Sequence, residues 1–133
     1  MTSITQRLQF NAPPRDIFEM LMDSRRHARF TGEQARVPRR VGASFSAYSG
    51  YITGVNVEII PNRRIVQAWR GSDWPKGAYS IVTFELATLV RGRTRLTFTQ
   101  HGVPRGQVRS IRQGWTDYYW EPMKAAIAEA KSR

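Results

Sequence analysis

The chain is short, basic and free of cysteine. Its 133 residues, 41% of them hydrophobic and 11% aromatic, suffice for one domain with a buried core and leave little room for two. The lack of cysteine excludes disulfides, thiolate chemistry and cysteine-ligated metals. No apolar run is long enough to span a bilayer and no signal-peptide pattern opens the sequence, so we expect a cytoplasmic protein.

The chain begins with the pattern of a strand followed by a helix. Apolar and polar residues alternate over 4–10, which predicts a half-buried strand, although Gln6 interrupts its apolar side. Apolar residues at helical spacing then predict a short amphipathic helix over about 14–22, and the two prolines before it suit a helix start.

A second short helix and a basic loop come next. Asp23 or Ser24 can cap a helix that runs to about Phe30. Residues 31–42 are polar and basic and contain both proline and glycine, which predicts a loop.

Five further strands, joined by turns, follow the loop. Each is a run rich in β-branched and aromatic residues between turn signals, a pattern that favours an antiparallel sheet. The predicted strands are 43–48, 51–60, 65–70, 79–89 and 94–101.

The longest helical segment covers about 106–130. Pro122 lies inside it and has no N–H, so the carbonyl of Tyr118 loses its helical partner and we expect a kink near 118–122. A wide apolar stripe, with Tyr118 and Ala126 beside it, consists of Val108, Ile111, Trp115, Tyr119, Met123 and Ile127.

This order of elements predicts an α+β fold, because the helices are segregated from the strands. We expect a single domain over residues 1–133, with two short helices after the first strand. The long C-terminal helix carries more aromatic surface than one open sheet face needs. We therefore expect a curved antiparallel sheet of about six strands that wraps around it.

Several short motifs, taken in order along the chain, resemble those of one family. They are Asn11-Ala12-Pro13, Ile17-Phe18, Leu21-Met22-Asp23, Phe30-Thr31-Gly32, Gly42 with Phe45, Gly50-Tyr51-Ile52-Thr53-Gly54, Gln67-Ala68-Trp69-Arg70, Trp74-Pro75, Gly114-Trp115, Tyr118-Tyr119-Trp120 and Pro122. The set resembles the activators of the heat-shock-protein-ninety ATPase in their bacterial single-domain form, within the START-like (SRPBCC) superfamily. The resemblance implies a helix-grip fold with a cavity between the sheet and the long helix.

The resemblance leaves the activity open, because the superfamily includes ligand carriers, cyclases and co-chaperones. The eukaryotic co-chaperone has a separate N-terminal domain that binds the chaperone. This chain is expected to hold the START-like domain without that second domain.

No catalytic signature is evident in the sequence. His27 lies among arginines on a predicted short helix, where a solvated position is expected. His101 ends the last strand and could face the mouth of the groove; with Glu85 and Asp117 it is a weak candidate for acid–base work. The spacing of histidines and carboxylates matches no metal site, so we predict neither a metal nor a cofactor.

The aromatic residues fall on the elements that would enclose the groove. Small-molecule sites are mostly apolar with a few polar anchors, but aromatic residues also fill ordinary cores, so both interpretations stay open. The residues predicted to contact a ligand, with Tyr51 in the same aromatic set, are Phe45, Tyr48, Trp69, Trp74, Tyr79, Phe98, His101, Trp115 and Tyr119.

The sequence thus predicts a non-catalytic binding module that holds a small hydrophobic or amphipathic ligand in this groove. The alternative is a co-chaperone-like interaction domain. The net charge of +11 favours an acidic protein partner such as a chaperone, which would meet Arg25, Arg26 and Arg29. A cyclase- or hydrolase-like enzyme is a further alternative. Nucleic acid is not an expected partner, since no recognition helix or zinc site accompanies the charge. We expect a monomer or a homodimer.

Overall fold

The sheet consists of six strands, and the computed structural model describes residues 2–132. The strands are β1 (Ser3–Phe10), β2 (Ser44–Ala47), β3 (Ile52–Ile60), β4 (Arg64–Gly71), β5 (Ser80–Thr88) and β6 (Thr94–His101). All neighbours pair antiparallel in the order β1-β6-β5-β4-β3-β2, so the chain meanders from β2 to β6 and β1 closes the far edge. A register shift between Asn56 and Glu58 interrupts the pairing of β3 with β4. Such a bulge bends the strand that carries it.

Two short helices follow β1, as the sequence predicts. Helix α1 (Pro14–Met22) begins with a proline at its first position, where the missing N–H costs nothing. Helix α2 (Ser24–Thr31) is capped by the Asp23 carboxylate, which accepts a hydrogen bond from the backbone N–H of Arg26 at 3.0 Å. It ends at Gly32, whose φ of 76° is the left-handed conformation that terminates many helices.

The C-terminal helix is continuous but not uniform. A 3₁₀ turn (Arg105–Gln107) leads into α3 (Val108–Trp115), and α4 (Glu121–Lys131) completes the helix. Between α3 and α4, Thr116–Trp120 form a π turn, which ends two residues before Pro122. The kink expected near 118–122 stays a prediction, and the structure has a π turn that overlaps this range. Pro122 has no N–H to donate to the Tyr118 carbonyl. That carbonyl accepts a long hydrogen bond from the Tyr48 hydroxyl at 3.4 Å.

The π turn changes which residues of the helix face the sheet. A regular helix with an inward Trp115 and Tyr119 would place Trp120 on its flank. Because the π turn is wider, Trp120 turns inward; it is 1% exposed and stacks on Trp115 with centroids 5.4 Å apart. Tyr118 turns outward and is 56% exposed.

The core lies between the concave face of the sheet and the helices. Its largest fully buried members are Trp120, Phe10, Phe18, Phe98, Ile4, Ile17 and Met22. A chain of hydrogen bonds crosses it: the indole N–H of Trp115 donates to Gln100 at 2.8 Å, and the Gln100 amide donates to Ser80 at 2.9 Å. These buried polar groups are satisfied, so they fix the position of the helix on the sheet.

The strand prediction was accurate to a few residues at each end, and the α+β class is confirmed. The solvated position expected for His27 was wrong. The residue is 6% exposed, and its ring packs against Phe30 and Tyr119 with centroids 5.2 and 5.3 Å apart. No helix within residues 2–132 is long and apolar enough to cross a membrane.

Candidate functional site: an aromatic groove beside the C-terminal helix

A groove of about 440 Å³ opens between the start of the C-terminal helix and one end of the sheet. Three stretches of chain build it: the segment from β2 into β3, the end of β4 with the loop after it, and the first turns of the helix. Its lining residues are Tyr48, Tyr51, Ile52, Trp69, Asp73, Gln107, Ser110, Ile111, Gly114, Trp115, Tyr118 and Tyr119. The volume lies in the range of small-molecule sites, about 300–1,000 Å³.

The inner wall of the groove is rigid because its aromatic rings pack on one another. Trp69 and Trp115 lie 5.5 Å apart between ring centroids, and Trp115 and Tyr119 lie 4.7 Å apart. The carbonyl of Trp69 accepts a hydrogen bond from the Ser80 hydroxyl at 2.9 Å, which ties this wall to the buried chain that holds Trp115. The wall is therefore set by the core rather than by a mobile loop.

The outer rim of the groove has unusual backbone. Tyr48 and Ser49 both have a φ of 52°, the left-handed conformation that residues other than glycine rarely adopt. The loop after α2 holds this turn, because the Ser49 N–H donates to the Gln34 carbonyl at 3.0 Å and the Gln34 N–H donates to the Ser49 hydroxyl at 3.2 Å. Strained backbone that is held in place in this way is common at binding sites.

The polar groups of the groove sit at its edge. The Tyr51 hydroxyl donates to the Asp73 carboxylate at 2.8 Å. Ser110 donates to the carbonyl of Gln107 at 3.2 Å, within the first turn of the helix. A ligand would thus meet mostly ring faces, with one carboxylate and a few hydroxyl groups as anchors.

Three tyrosines of the groove, Tyr48, Tyr51 and Tyr119, remain protonated at neutral pH. Burial raises the pKa of Tyr48 to about 12, and the nearby Tyr118 and Glu33 add to the effect. Burial raises the pKa of Tyr51 to about 12 as well, assisted by the hydrogen bond to Asp73 and the charge of that carboxylate. The pKa of Tyr119 is raised further because this side chain is wholly buried. All three hydroxyls therefore act as hydrogen-bond donors.

Tyr119 connects the groove to α2. Its hydroxyl donates to Nε2 of His27 at 2.8 Å, while Nδ1 of His27 donates to the Leu21 carbonyl at 3.1 Å. Burial lowers the pKa of His27, so the ring is neutral and can accept at Nε2. This pair fixes the tyrosine ring that forms part of the groove wall.

Only some of the nine residues predicted to contact a ligand line the groove. The groove-lining members are Tyr48, Trp69, Trp115 and Tyr119. Trp74 lies behind Trp69, with centroids 5.4 Å apart, and Phe98 is fully buried beneath Trp115 at 4.4 Å. That these residues contact a ligand stays a prediction.

The other three predicted residues lie elsewhere. Phe45 is buried on β2, where its ring covers Gly54. Tyr79 is 49% exposed beneath the Arg70 guanidinium. His101 is exposed at the end of β6, where its Nδ1 lies 2.8 Å from the Ser3 hydroxyl.

The weak catalytic candidates do not converge. The Glu85 carboxylate forms an ion pair with Arg64 at 2.7 Å, and Asp117 accepts from the Gln113 amide at 2.9 Å. Together with His101, they lie outside the set of residues that line the groove. Within residues 2–132, no group of three or more histidines and carboxylates could hold a metal ion.

The arginines proposed for protein contact lie on α2. Arg25 and Arg29 are exposed, Arg26 is half-buried, and none of these three side chains has an ion-pair partner within the described part of the chain. Arg39, in the following loop, is instead paired with Glu19 and lies over the Phe18 ring. Helix α2 therefore presents Arg25 and Arg29 to solvent without a direct ion pair among the described residues.

Sequence reasoning missed part of the groove. Asp73, Gln107 and Ser110 were not among the predicted ligand contacts, and neither were Ile111 of the apolar stripe and Gly114 of the family motif. A signal for Asp73 was available, since it follows β4 in a loop that also holds Trp74-Pro75. Nothing in the sequence shows that this loop meets the start of the helix.

A curved antiparallel sheet that grips one long helix, with an aromatic groove open between them, defines a helix-grip domain. Sequence comparison gives its family. The profile described as "Activator of Hsp90 ATPase homolog 1-like protein" matches residues 11–128. The chain belongs to that family.

Individual relatives agree with this assignment. The chain is 27% identical over 121 residues to human activator of 90 kDa heat shock protein ATPase homolog 1, and the match covers 91% of the chain and 36% of the relative. It is 30% identical over 107 residues to the Dictyostelium discoideum homologue, covering 80% of the chain and 28% of the relative. The chain thus spans about a third of the length of these curated relatives.

A solved structure of an HSP90 activator from Plasmodium falciparum has the same fold. It superposes with a TM-score of 0.91 at 28% identity and covers 95% of this chain and 96% of that one. The helix-grip architecture predicted from the sequence is therefore confirmed.

Proposed function

We propose that the chain is a non-catalytic, co-chaperone-like domain that contacts an Hsp90-type chaperone through the basic surface of α2. The observation that carries this proposal is the likeness, over nearly the whole length of both chains, to an HSP90 activator. The curated relatives, of which this chain covers about a third, are also named as activators of this chaperone. The exposed charge of Arg25 and Arg29 offers a surface for an acidic partner.

The test is association of the purified chain with a purified Hsp90-type chaperone, at about 50 and 200 mM salt, together with the ATPase rate of the chaperone. Reversing the charge of Arg25, Arg26 and Arg29 to glutamate should weaken binding at least about tenfold and abolish its dependence on salt. The backbone N–H of Arg26 still reaches the Asp23 cap, so α2 keeps its start.

A matched control carries the same change in net charge at another exposed site. Arg91, Arg93 and Arg95 are exposed around the turn between β5 and β6, and their reversal to glutamate should leave binding unchanged. Equal loss in both triple variants would mean that only net charge matters. Unchanged binding in the α2 variant would remove this surface from the proposal.

A second function is favoured by the groove itself: uptake of a small hydrophobic or amphipathic molecule. The groove has a rigid aromatic wall and a volume of about 440 Å³, more than a void left by imperfect packing. Because Trp69 and Trp115 line it, a bound molecule should change tryptophan fluorescence. Binding should also raise the melting temperature by mass action.

Filling the groove tests this second function. A Cβ atom built at Gly114 would meet only the Tyr118 ring, at 3.7 Å, and Gly114 lines the groove, so Gly114→Leu should place its side chain in the groove. Gly106→Leu is the matched control, since nothing lies within 4 Å of a Cβ atom built there and Gly106 does not line the groove. With the neutral probe N-phenyl-1-naphthylamine, fluorescence enhancement should disappear in Gly114→Leu and persist in Gly106→Leu. Equal enhancement in both variants would place the probe elsewhere.

A further inference from the structure

We propose that the molecule held in the groove carries a positive charge, an alkyl or aromatic ammonium whose charged end is received by Asp73 while its apolar part lies between the aromatic rings. This inference rests on the proposal that the groove is a ligand site, and it adds the chemical class of the ligand. Four features of the groove support it.

The charge of the groove is opposite to that of the protein. Lysine and arginine outnumber aspartate and glutamate by 21 to 10 in the chain, yet Asp73 is the one charged residue among those that line the groove. A site for a fatty acid or another anion would be expected to place an arginine or lysine at the end of an apolar groove. This groove places a carboxylate there.

The Asp73 carboxylate is held in position by a hydrogen bond. The Tyr51 hydroxyl donates to one of its oxygens at 2.8 Å. Within the described residues, no lysine or arginine forms an ion pair with it. Arg70, three residues earlier, donates instead to the carbonyls of Trp74 and Ala78 at 2.7 and 3.2 Å. An ammonium group is the partner that the carboxylate lacks.

The position of Tyr51 depends on close packing at the end of β4. A Cβ atom built on Gly71 would lie 2.7 Å from the Tyr51 hydroxyl and 2.9 Å from its ring. The absence of a side chain at Gly71 therefore leaves room for the tyrosine that orients Asp73. The acidic end of the groove is thus formed jointly by the residue before β3, the end of β4 and the loop after β4.

The apolar part of the groove also suits a cation. Half of the lining residues are aromatic: Tyr48, Tyr51, Trp69, Trp115, Tyr118 and Tyr119. The faces of such rings attract ammonium groups, most strongly where water is excluded. Tyr48 and Tyr118 meet edge to face at the rim with centroids 5.6 Å apart, so one of them can present its face to a bound molecule.

The test compares three ligands that differ only in the charge of one end: 4-phenylbenzylamine, 4-biphenylmethanol and 4-biphenylcarboxylate. Each is titrated into the full chain by calorimetry at about 150 mM salt, which screens the net charge of the protein beyond about 8 Å. The amine should bind about tenfold tighter than the alcohol, and the carboxylate weaker than both.

Three variants test whether Asp73 causes the preference for the amine. In Asp73→Asn the amine should bind no tighter than the alcohol, whereas affinity for the alcohol should stay unchanged, which shows that the groove is intact. Asp16→Asn removes the same charge from the first turn of α1, away from the groove, and should keep the preference of the wild type. Tyr51→Phe should reduce the preference for the amine in part, because it removes the hydrogen bond that orients the Asp73 carboxylate.

The outcomes separate this inference from the function on which it rests. Equal affinity for all three ligands, or a preference for the carboxylate, would overturn the inference while the groove remained a ligand site. An amine preference that survives in Asp73→Asn would also overturn it. If none of the three ligands binds and N-phenyl-1-naphthylamine is not taken up, both the groove function and its preferred charge are wrong.

Discussion

The Tyr119 hydroxyl and Nε2 of His27 lie 2.8 Å apart in the core and join the C-terminal helix to α2. The histidine is fixed in one tautomer, since its Nδ1 donates to the Leu21 carbonyl. One buried hydrogen bond therefore connects the groove wall to the helix that presents the basic surface. The surfaces considered for ligand and for chaperone are in this way parts of one packed unit.

Removing the tyrosine hydroxyl should destabilise the fold. In Tyr119→Phe the buried Nε2 of His27 loses its donor, and the free energy of unfolding should fall by about 1–3 kcal/mol. The neighbouring Tyr118 is 56% exposed, so Tyr118→Phe should change stability by no more than about 0.5 kcal/mol. Urea unfolding followed by tryptophan fluorescence measures both variants. Equal effects would show that the His27 contact does not stabilise the fold.

Stability should decline as the pH falls below the ordinary pKa of histidine. Burial lowers the pKa of His27 in the folded state from 6.5, so the unfolded chain binds more protons at mildly acidic pH. The free energy of unfolding should then decrease with decreasing pH from about 6.5, by at most about 1.4 kcal/mol per pH unit. Urea midpoints between about pH 7.5 and pH 5 test this.

The control for this pH dependence is His27→Gln, which stays neutral and should lose most of the slope in that range. The carboxylates of Glu19 and Asp23 do not contribute to the pH dependence of stability in this range. Interactions with Arg39 and with backbone N–H groups lower the pKa values of Glu19 and Asp23 from 4.5 and 3.8. Their contributions are complete above those values and are lost only at more acidic pH. A slope that persists in His27→Gln would assign the effect to another group.

Much of the fold follows from local patterns in the sequence. Alternation along 94–101 and the turn signals between strands predict the meander, because each strand pairs with its neighbour in the chain. The position of β1 beside β6 does not follow from such patterns, since it joins residues at opposite ends of the chain. No pattern in the sequence indicates that pairing.

The C-terminal helix shows where a periodic pattern fails. A period of 3.6 residues places Tyr118 beside the apolar stripe and leaves Trp120 out of it, and the π turn at Thr116–Trp120 reverses the two. His27 was misjudged for a related reason. Arginines on both sides of a residue say nothing about the direction of its own side chain when the helix is packed on one face.

The sequence predicted an aromatic groove, but it identified only some of the residues that line it. Large aromatic residues pointed to it, and Tyr48, Trp69, Trp115 and Tyr119 do line it. Whether an aromatic residue lines a cavity or lies behind its wall depends on packing between distant segments. Phe98 illustrates this, because it alternates correctly on β6 yet is covered by Trp115.

Gln6 should prove to be a structural residue, although it interrupts the apolar side of β1. Its amide oxygen accepts from the indole N–H of Trp120 at 3.0 Å, and its amide nitrogen donates to the Arg112 carbonyl at 3.4 Å, beside the π turn. Gln6→Leu would leave both groups without these partners and should cost about 1–3 kcal/mol, even though leucine is the more apolar residue. Gln9→Leu, on the exposed face of the same strand, is the control and should be nearly neutral. A stabilised Gln6→Leu would show that the hydrogen bonds contribute nothing.

Gly54 should be among the least replaceable residues of the sheet. A Cβ atom there would lie 1.9 Å from the carbonyl oxygen of Ala68 and 2.6 Å from the ring of Phe45, so neither the backbone of β4 nor a buried aromatic side chain could yield cheaply. Gly54→Ala should therefore destabilise the fold by about 3 kcal/mol or more, enough to lower its yield on expression. Gly106→Ala adds the same methyl group where nothing lies within 4 Å, and it should leave the midpoint of urea unfolding almost unchanged. If Gly54→Ala unfolds at the same urea concentration as Gly106→Ala, then Phe45 does not pack on Gly54 and the register of β3 against β4 is different in solution.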